Sequence, residues 1–132
     1  MEQRTFGVHH IAVKACGVAD YEKMFQFYHE ILGMPVVRTW GEGENAGAML
    51  DIGGGMMEIF ANGDGYPGQG AIRHMAFAVK DVDGCVEAVR AAGYEITMEP
   101  TDIVIGSNPP LPARIAFCIG AAGEEIEFFC EK

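Results

Sequence analysis

The sequence predicts an α+β fold built from two βαβββ modules in tandem. Three observations predict it. The stretch His10-Ile-Ala-Val-Lys14 is echoed by His74-Met-Ala-Phe-Ala-Val-Lys80, so the chain restarts its pattern halfway. Each of these strand-like runs is followed by an aspartate and a stretch with helical spacing. Each half then closes on a similar run after a glycine turn: Gly54-Gly-Met-Met-Glu58-Ile-Phe60 in the first and Gly123-Glu-Glu-Ile-Glu127-Phe-Phe129 in the second. A half of about 60 residues buries too little surface to be stable alone, and internal repeats usually share their core.

The elements follow in order. The apolar run from Val8 to Val13 predicts the first strand. Asp20 is the expected N-cap of the first helix, whose apolar stripe is Tyr21, Met24, Phe25, Tyr28, Ile31 and Leu32. Gly33 stands where a left-handed C-cap belongs. Strands are predicted at 36–40, 47–52 and 54–60. In the second half Asp83 is the expected N-cap, Val82, Cys85, Val86 and Val89 form the stripe, and Gly93 ends the helix. Strands follow at 94–98, 113–119 and 123–129. The first module covers about 6–61 and the second about 71–131. The Gly-rich stretch 62–70 links them, and the Pro-rich stretch Gly106–Pro112 is a connection or a lid.

Composition bounds the function. The 132 residues are 49% hydrophobic and 21% charged, an ordinary globular mixture that fits a single domain. The formal net charge of −10 repels a phosphate backbone, so nucleic acid is an unsuitable partner. No apolar run reaches the ~18–20 residues of a membrane span. Met1-Glu2-Gln3-Arg4 does not read as a signal peptide, which gives a cytoplasmic expectation. Cys16, Cys85, Cys118 and Cys130 form no CxxC pair and read as reduced thiols.

Strand alternation sorts the side chains. His10 shares a face with Ala12, against His9, Ile11 and Val13. His74 lies with Ala76 and Ala78, against Met75, Phe77 and Val79. Glu58 lies with Met56 and Phe60; Glu127 lies with Glu125 and Phe129. The bulky apolar faces belong under the helices, and the faces of His and Ala suit a cavity lining. A carboxylate within an apolar strand needs a partner. His10, Glu58, His74 and Glu127 occupy matching places in the repeat, and imidazole with carboxylate suits a divalent Zn, Ni, Co, Fe or Mn. Alignment of Arg73-His74-Met75-Ala76 with His9-His10-Ile11-Ala12 selects His10 as the ligand and leaves His9 a bystander. Phe60 and Phe129 are candidate apolar walls, and Arg114 is a candidate partner for an anionic substrate.

The pattern His-x-Ala-Val, then Phe-Tyr-x-x-Ile-Leu-Gly-Met, then Met-Glu-Ile-Phe, then a second His-x-Ala-Phe-x-Val-x-Asp and a closing Ile-Glu-Phe-Phe resembles the vicinal oxygen chelate superfamily. That group includes glyoxalase I, methylmalonyl-CoA epimerase, extradiol dioxygenases and fosfomycin or bleomycin resistance proteins. The resemblance covers about residues 6–131. It implies a curved mixed sheet around a metal-binding cavity, with helices on the outer face.

The set of two His and two Glu looks most like glyoxalase I. The resemblance then implies a lyase with one divalent metal per site, nickel or cobalt by preference, and a thiol such as glutathione as co-substrate. The substrate implied is the hemithioacetal of methylglyoxal. Glu127 would abstract the proton beside the carbonyl, Glu58 would act on the opposite face, and the metal would stabilise the developing enediolate. Asn62 stands where glyoxalase I carries an asparagine that helps hold glutathione, and Arg38 matches an arginine of some bacterial members. Glu30 departs from the family, which often has Lys or Arg there; so does Gly120-Ala-Ala-Gly123 before the last strand. The resemblance also implies a homodimer, with His10 and Glu58 of one chain and His74 and Glu127 of the other at each site. The alternatives are an epimerase of the methylmalonyl-CoA type and a drug-binding protein without chemistry.

Overall fold

The computed structural model describes residues 3, 4 and 6–132. The chain divides into two compact units, one up to Tyr66 and one from Pro67. Each unit is a strand, a helix and three further strands. The first holds β1 (His10–Lys14), α1 (Val18–Phe25), β2 (Val36–Trp40), β3 (Gly47–Asp51) and β4 (Met56–Phe60). The second holds β5 (Met75–Ala78), α2 (Val82–Ala91), β6 (Ile96–Ile105), β7 (Leu111–Ile119) and β8 (Glu125–Glu131). Two four-stranded mixed sheets result, in the orders β1-β4-β3-β2 and β5-β8-β7-β6.

In both sheets the first strand runs parallel to the last and the remaining pairs are antiparallel. A parallel neighbour requires a crossover, which the helix and intervening strands provide. The register sets Ala12 beside Glu58 and Ala76 beside Glu127. The repeat seen in sequence is therefore a repeat in register.

The buried faces follow the alternation. Met57 and Ile59 on β4, and Ile126 and Phe128 on β8, are fully buried. The helix α2 packs on β6, β7 and β8 and buries Val82, Val86 and Val89. On the other face of β1 and β5, His10, Ala12, Lys14, Ala76 and Ala78 are exposed. At Gly47 the Trp40 indole lies against the backbone, so that a Cβ there would come within 2.3 Å of the ring.

Helix starts differ from expectation. Asp20 sits inside the first turn of α1, whose N-cap is Gly17. In α2 the cap is Asp81, whose Oδ1 accepts the Gly84 N–H at 2.9 Å; Asp83 lies two residues on, within the first turn. Acidic residues favour both the cap and the first turn, so composition alone does not separate the two positions. The glycines at the helix ends have the expected left-handed backbone, with φ of 76° at Gly33 and 93° at Gly93.

The first helix also changes pitch. Gln26–Ile31 forms a π-helical turn, and Leu32 N–H donates to Phe27 O across the wider ring. The wide turn accommodates Phe27 and Tyr28 side by side in the core, both fully buried. The regular stripe omitted Phe27 for that reason. Strand β6 is longer than expected and passes through Pro100. It is an edge strand with irregular register between Met98 and Thr101, which is where a strand tolerates proline. Ile105 pairs with Leu111 and Val104 with Pro112, so the connection shrinks to a hairpin turn at 106–110.

Removing the cap by Asp81→Ala is expected to lower stability by about 1 kcal/mol. Asp20→Ala should stay within about 0.5 kcal/mol of the parent. Urea midpoints of the two variants check the assignment.

Candidate metal centre and its surroundings

Each unit pairs a histidine with a glutamate on the sheet face away from its helix, and the second unit adds Glu125 on that face. The cause is register: the histidine stands two residues before the alanine that pairs with the glutamate. In the first unit His10 Nε2 lies 3.6 Å from Glu58 Oε1. In the second His74 Nε2 lies 3.2 Å from Glu127 Oε1. Adjacent ligand atoms of one ion at bond lengths of ~2.1 Å stand about 3.0–3.4 Å apart; the His74–Glu127 pair falls within that range, and the His10–Glu58 pair stands slightly outside it. No group of three or more His, Cys, Asp or Glu side chains in metal-holding geometry occurs among the described residues. Each unit brings together one pair.

The two pairs are not equal. Glu127 is 7% exposed, the buried charged residue among the described ones. Loss of water pushes its carboxyl above the ordinary glutamate range; His74 opposes this shift, and Glu125 adds to it. Glu58 is more open, with 17% of its side chain exposed. Phe117 stands opposite Glu127 in register and packs its ring edge to face with His74 at 5.3 Å. The equivalent position beside Glu58 is Met49.

The remaining candidates fall into place by register. Arg38 pairs with Met49, which pairs with Glu58, so all three share one face. Its Nη1 lies 3.4 Å from Met49 Sδ. Phe60 lies one pair along the same face, with Trp40 against it at 5.8 Å and Lys14 Nζ 5.6 Å above its ring. Phe129 is half-buried beside Ala78 on the Glu127 face. Asn62 is exposed and bridges Cys16 just beyond β4.

Arg114 does not join them. It lies on the opposite face of β7, and two carboxylates occupy it: Asp83 accepts from Nε and Nη2 at 2.7 and 2.8 Å, and Asp102 from Nη1 at 3.2 Å. Asp83, expected as a cap, is instead half of this clamp. The arginine holds Asp83 below the ordinary carboxylate range, and Lys132, at 3.1 Å, together with Arg114 does the same for Asp102. Sequence reading missed the clamp because its members lie far apart in the chain.

Alternation also undervalued three residues. Glu125 reaches within 3.9 Å of His74 Nδ1. Phe117 covers the second pair. His9 is not independent of His10: their Nδ1 atoms are 2.9 Å apart. Glu125 had a signal, its period-two spacing from Glu127; Phe117 needed the pairing register.

The sequence model of the glyoxalase/bleomycin resistance protein/dioxygenase superfamily matches residues 7–108. The chain belongs to this superfamily. Among curated relatives, it is 31% identical to a lactoylglutathione lyase of Haemophilus influenzae over 87% of each chain. Among solved structures, it is similar to a glyoxalase family protein of Bacillus anthracis, with 24% identity, a TM-score of 0.68 and full coverage of both chains. It is also similar to the genomically encoded fosfomycin resistance protein FosX of Listeria monocytogenes. That match has 17% identity and a TM-score of 0.70, covering 97% of this chain and 95% of that one. At such identities the structural likeness carries the fold, the tandem arrangement that the superfamily shares. The superfamily includes enzymes, and no helix among the described residues is long and apolar enough to cross a membrane.

The clamp has a pH signature. Asp83 and Asp102 have lowered values in the folded protein, so their contribution is present above the unfolded carboxylate range. It is lost as pH falls through the lowered values. Arg114→Ala is expected to lower the thermal midpoint at pH 7. The gap from the parent should narrow at pH 3, as read by circular dichroism melts at both pH values.

Proposed function

We propose that this protein is a metal-dependent lyase of the glyoxalase I type. It acts on the hemithioacetal formed from methylglyoxal and a thiol, glutathione being the first choice. The observation that supports the reading most is the repeated His–Glu pair, in one register, on the open face of each sheet. Glu127 is buried and Glu58 half-buried, and a carboxylate withdrawn from water needs a partner, which a histidine supplies in both units.

His10, Glu58, His74 and Glu127 would hold one divalent ion, nickel or cobalt in preference to zinc, iron or manganese. When bound, the ion acts as a Lewis acid toward the substrate's oxygens. Glu127 takes the proton from the thiol-bearing carbon and the proton returns to the neighbouring carbon, while the hydroxyl proton passes from the first carbon's oxygen to the second's, so hemithioacetal becomes hydroxy thioester with no atoms gained or lost. Burial suits Glu127 to act as the base, since desolvation raises its affinity for a proton. Glu58, better solvated, serves on the opposite face of the substrate. Phe60 and Phe129 provide apolar walls, Arg38 meets a negative group from the Glu58 face, and Asn62 holds the thiol's peptide portion.

We further propose a homodimer. Each pair supplies two donors, and a site of four takes His10 and Glu58 from one chain and His74 and Glu127 from the other.

Two measurements test this. Glu127→Gln should slow solvent exchange at the substrate carbon by about 100-fold or more, and undiminished exchange would remove Glu127 as the base. Parallel assays with methylmalonyl-CoA distinguish an epimerase from the lyase. For the assembly, His10→Ala and His74→Ala proteins are each expected to lose activity alone. Exchanged into mixed dimers, they should regain about one quarter of the parent's sites, since half the dimers are mixed and each carries one complete site. No recovery would place all four ligands in one chain.

A further inference from the structure

The two histidines of the pairs face their glutamates with the same ring nitrogen. In both cases Nε2 points to the carboxylate on the neighbouring strand and Nδ1 points away. What stands at Nδ1 differs. In the second unit the register that sets Met75 beside Ile126 brings Glu125 next to His74, 3.9 Å from Nδ1. Behind Glu125, Gln69 Nε2 donates to its Oε2 at 3.4 Å, and Arg73 Nη2 donates to Gln69 Oε1 at 2.7 Å. In the first unit the position of Glu125 is taken by Met56, which pairs with His10. Met56 offers His10 no comparable acceptor. The group that meets His10 Nδ1 there is His9 Nδ1, at 2.9 Å, with the two rings nearly perpendicular at 83°.

From this we infer that His9 is a positioning residue: its ring holds His10 by Nδ1 and so presents Nε2 toward Glu58. The inference rests on the metal-binding reading above. One hydrogen lies between the two facing nitrogens. If it belongs to His9, His10 carries its own hydrogen on Nε2. If it belongs to His10, Nε2 is bare and can take a cation. Donation from His10 to His9 is thus the arrangement that suits a ligand, and His9 supplies the acceptor. Outer partners of this kind fix the tautomer and orientation of metal-binding histidines.

His9 is itself anchored, because Met56 N–H donates to its carbonyl at 2.9 Å. The backbone that carries the exposed ring is therefore fixed. The repeat explains why alignment concealed this role. His9 aligns with Arg73, which acts one step further out, through Gln69. The two units hold their histidines by different means.

The test uses the full-length metal-free protein, with nickel(II) alone as the probe. Affinity is measured by competition with a chelator for the parent, His9→Ala, His9→Asn and His10→Ala. Long-range proton–nitrogen NMR reads the His10 ring tautomer before metal is added. The exposed site makes His9→Ala tolerable to folding, and Asn keeps a polar atom near the place of Nδ1.

The expected result is about a 10–100-fold weaker affinity for His9→Ala, recovered in large part by His9→Asn. With it, the His10 ring should pass from one tautomer in the parent to a mixture in His9→Ala. Parent-like affinity in His9→Ala, with binding lost in His10→Ala, would overturn the role of His9 and leave the metal site standing. Weakened affinity with an unchanged tautomer and no recovery by Asn would also overturn it. Parent-like affinity in His10→Ala would overturn the metal site, and this inference with it.

Discussion

Everything at the candidate centre depends on one backbone constraint: in each unit the first strand lies parallel to the last, with an alanine beside a glutamate. Parallel pairing fixes the stagger between strands. A histidine two residues before that alanine then reaches the carboxylate with its ring, at 3.6 Å in one unit and 3.2 Å in the other. A slip of one residue would turn the glutamate into the helix-covered core and bring Ile59 or Phe128 to the open face. The alanines matter as well. Ala12 and Ala76 leave room beside each glutamate that a larger side chain would fill.

The same frame produces two unequal carboxylates. Glu127 is nearly sealed, with Phe117 beside it in register and the His74 ring as its nearest polar partner. Glu58 has Met49 beside it and more water. Desolvation acts on the charged form of an acid, so the sealed group holds a proton more readily. Glu125 reinforces that effect by like-charge repulsion. The two carboxylates thus share a register position and differ in their access to water.

The repeat is strict in backbone and loose in side chain. Arg38 in one unit corresponds in register to Met98 in the other, Met49 to Phe117, and Met56 to Glu125. On this face the histidine, the glutamate, the alanine between them in register and the phenylalanine two residues beyond the glutamate are kept in both. The cation of the site face therefore belongs to the first unit. Arg114 in the second unit serves a different end: it ties the start of α2 to β6 through Asp83 and Asp102.

Much of this was legible in the sequence by itself. The duplicated motif gave the βαβββ order, both helix-ending glycines and the four residues of the pairs, because period-two and period-3.6 patterns record which face is buried. What the sequence left open was whatever depends on atoms distant in the chain or on local backbone choice. Two nearby aspartates compete for one cap, and only the folded backbone shows that Asp81 takes the Gly84 N–H. The π-turn at Gln26–Ile31 breaks a regular stripe to seat Phe27 and Tyr28 together. Arg114 looked free until strand pairing brought two acids to it. The side-by-side histidines show the division most clearly. Alternation puts neighbours on opposite faces of a strand, yet His9 lies just before β1 begins, where its ring is free to turn onto His10. The repeat selects His10 as the candidate ligand; tertiary structure decides which group meets its ring, because a side-chain contact depends on a rotamer that no sequence pattern encodes.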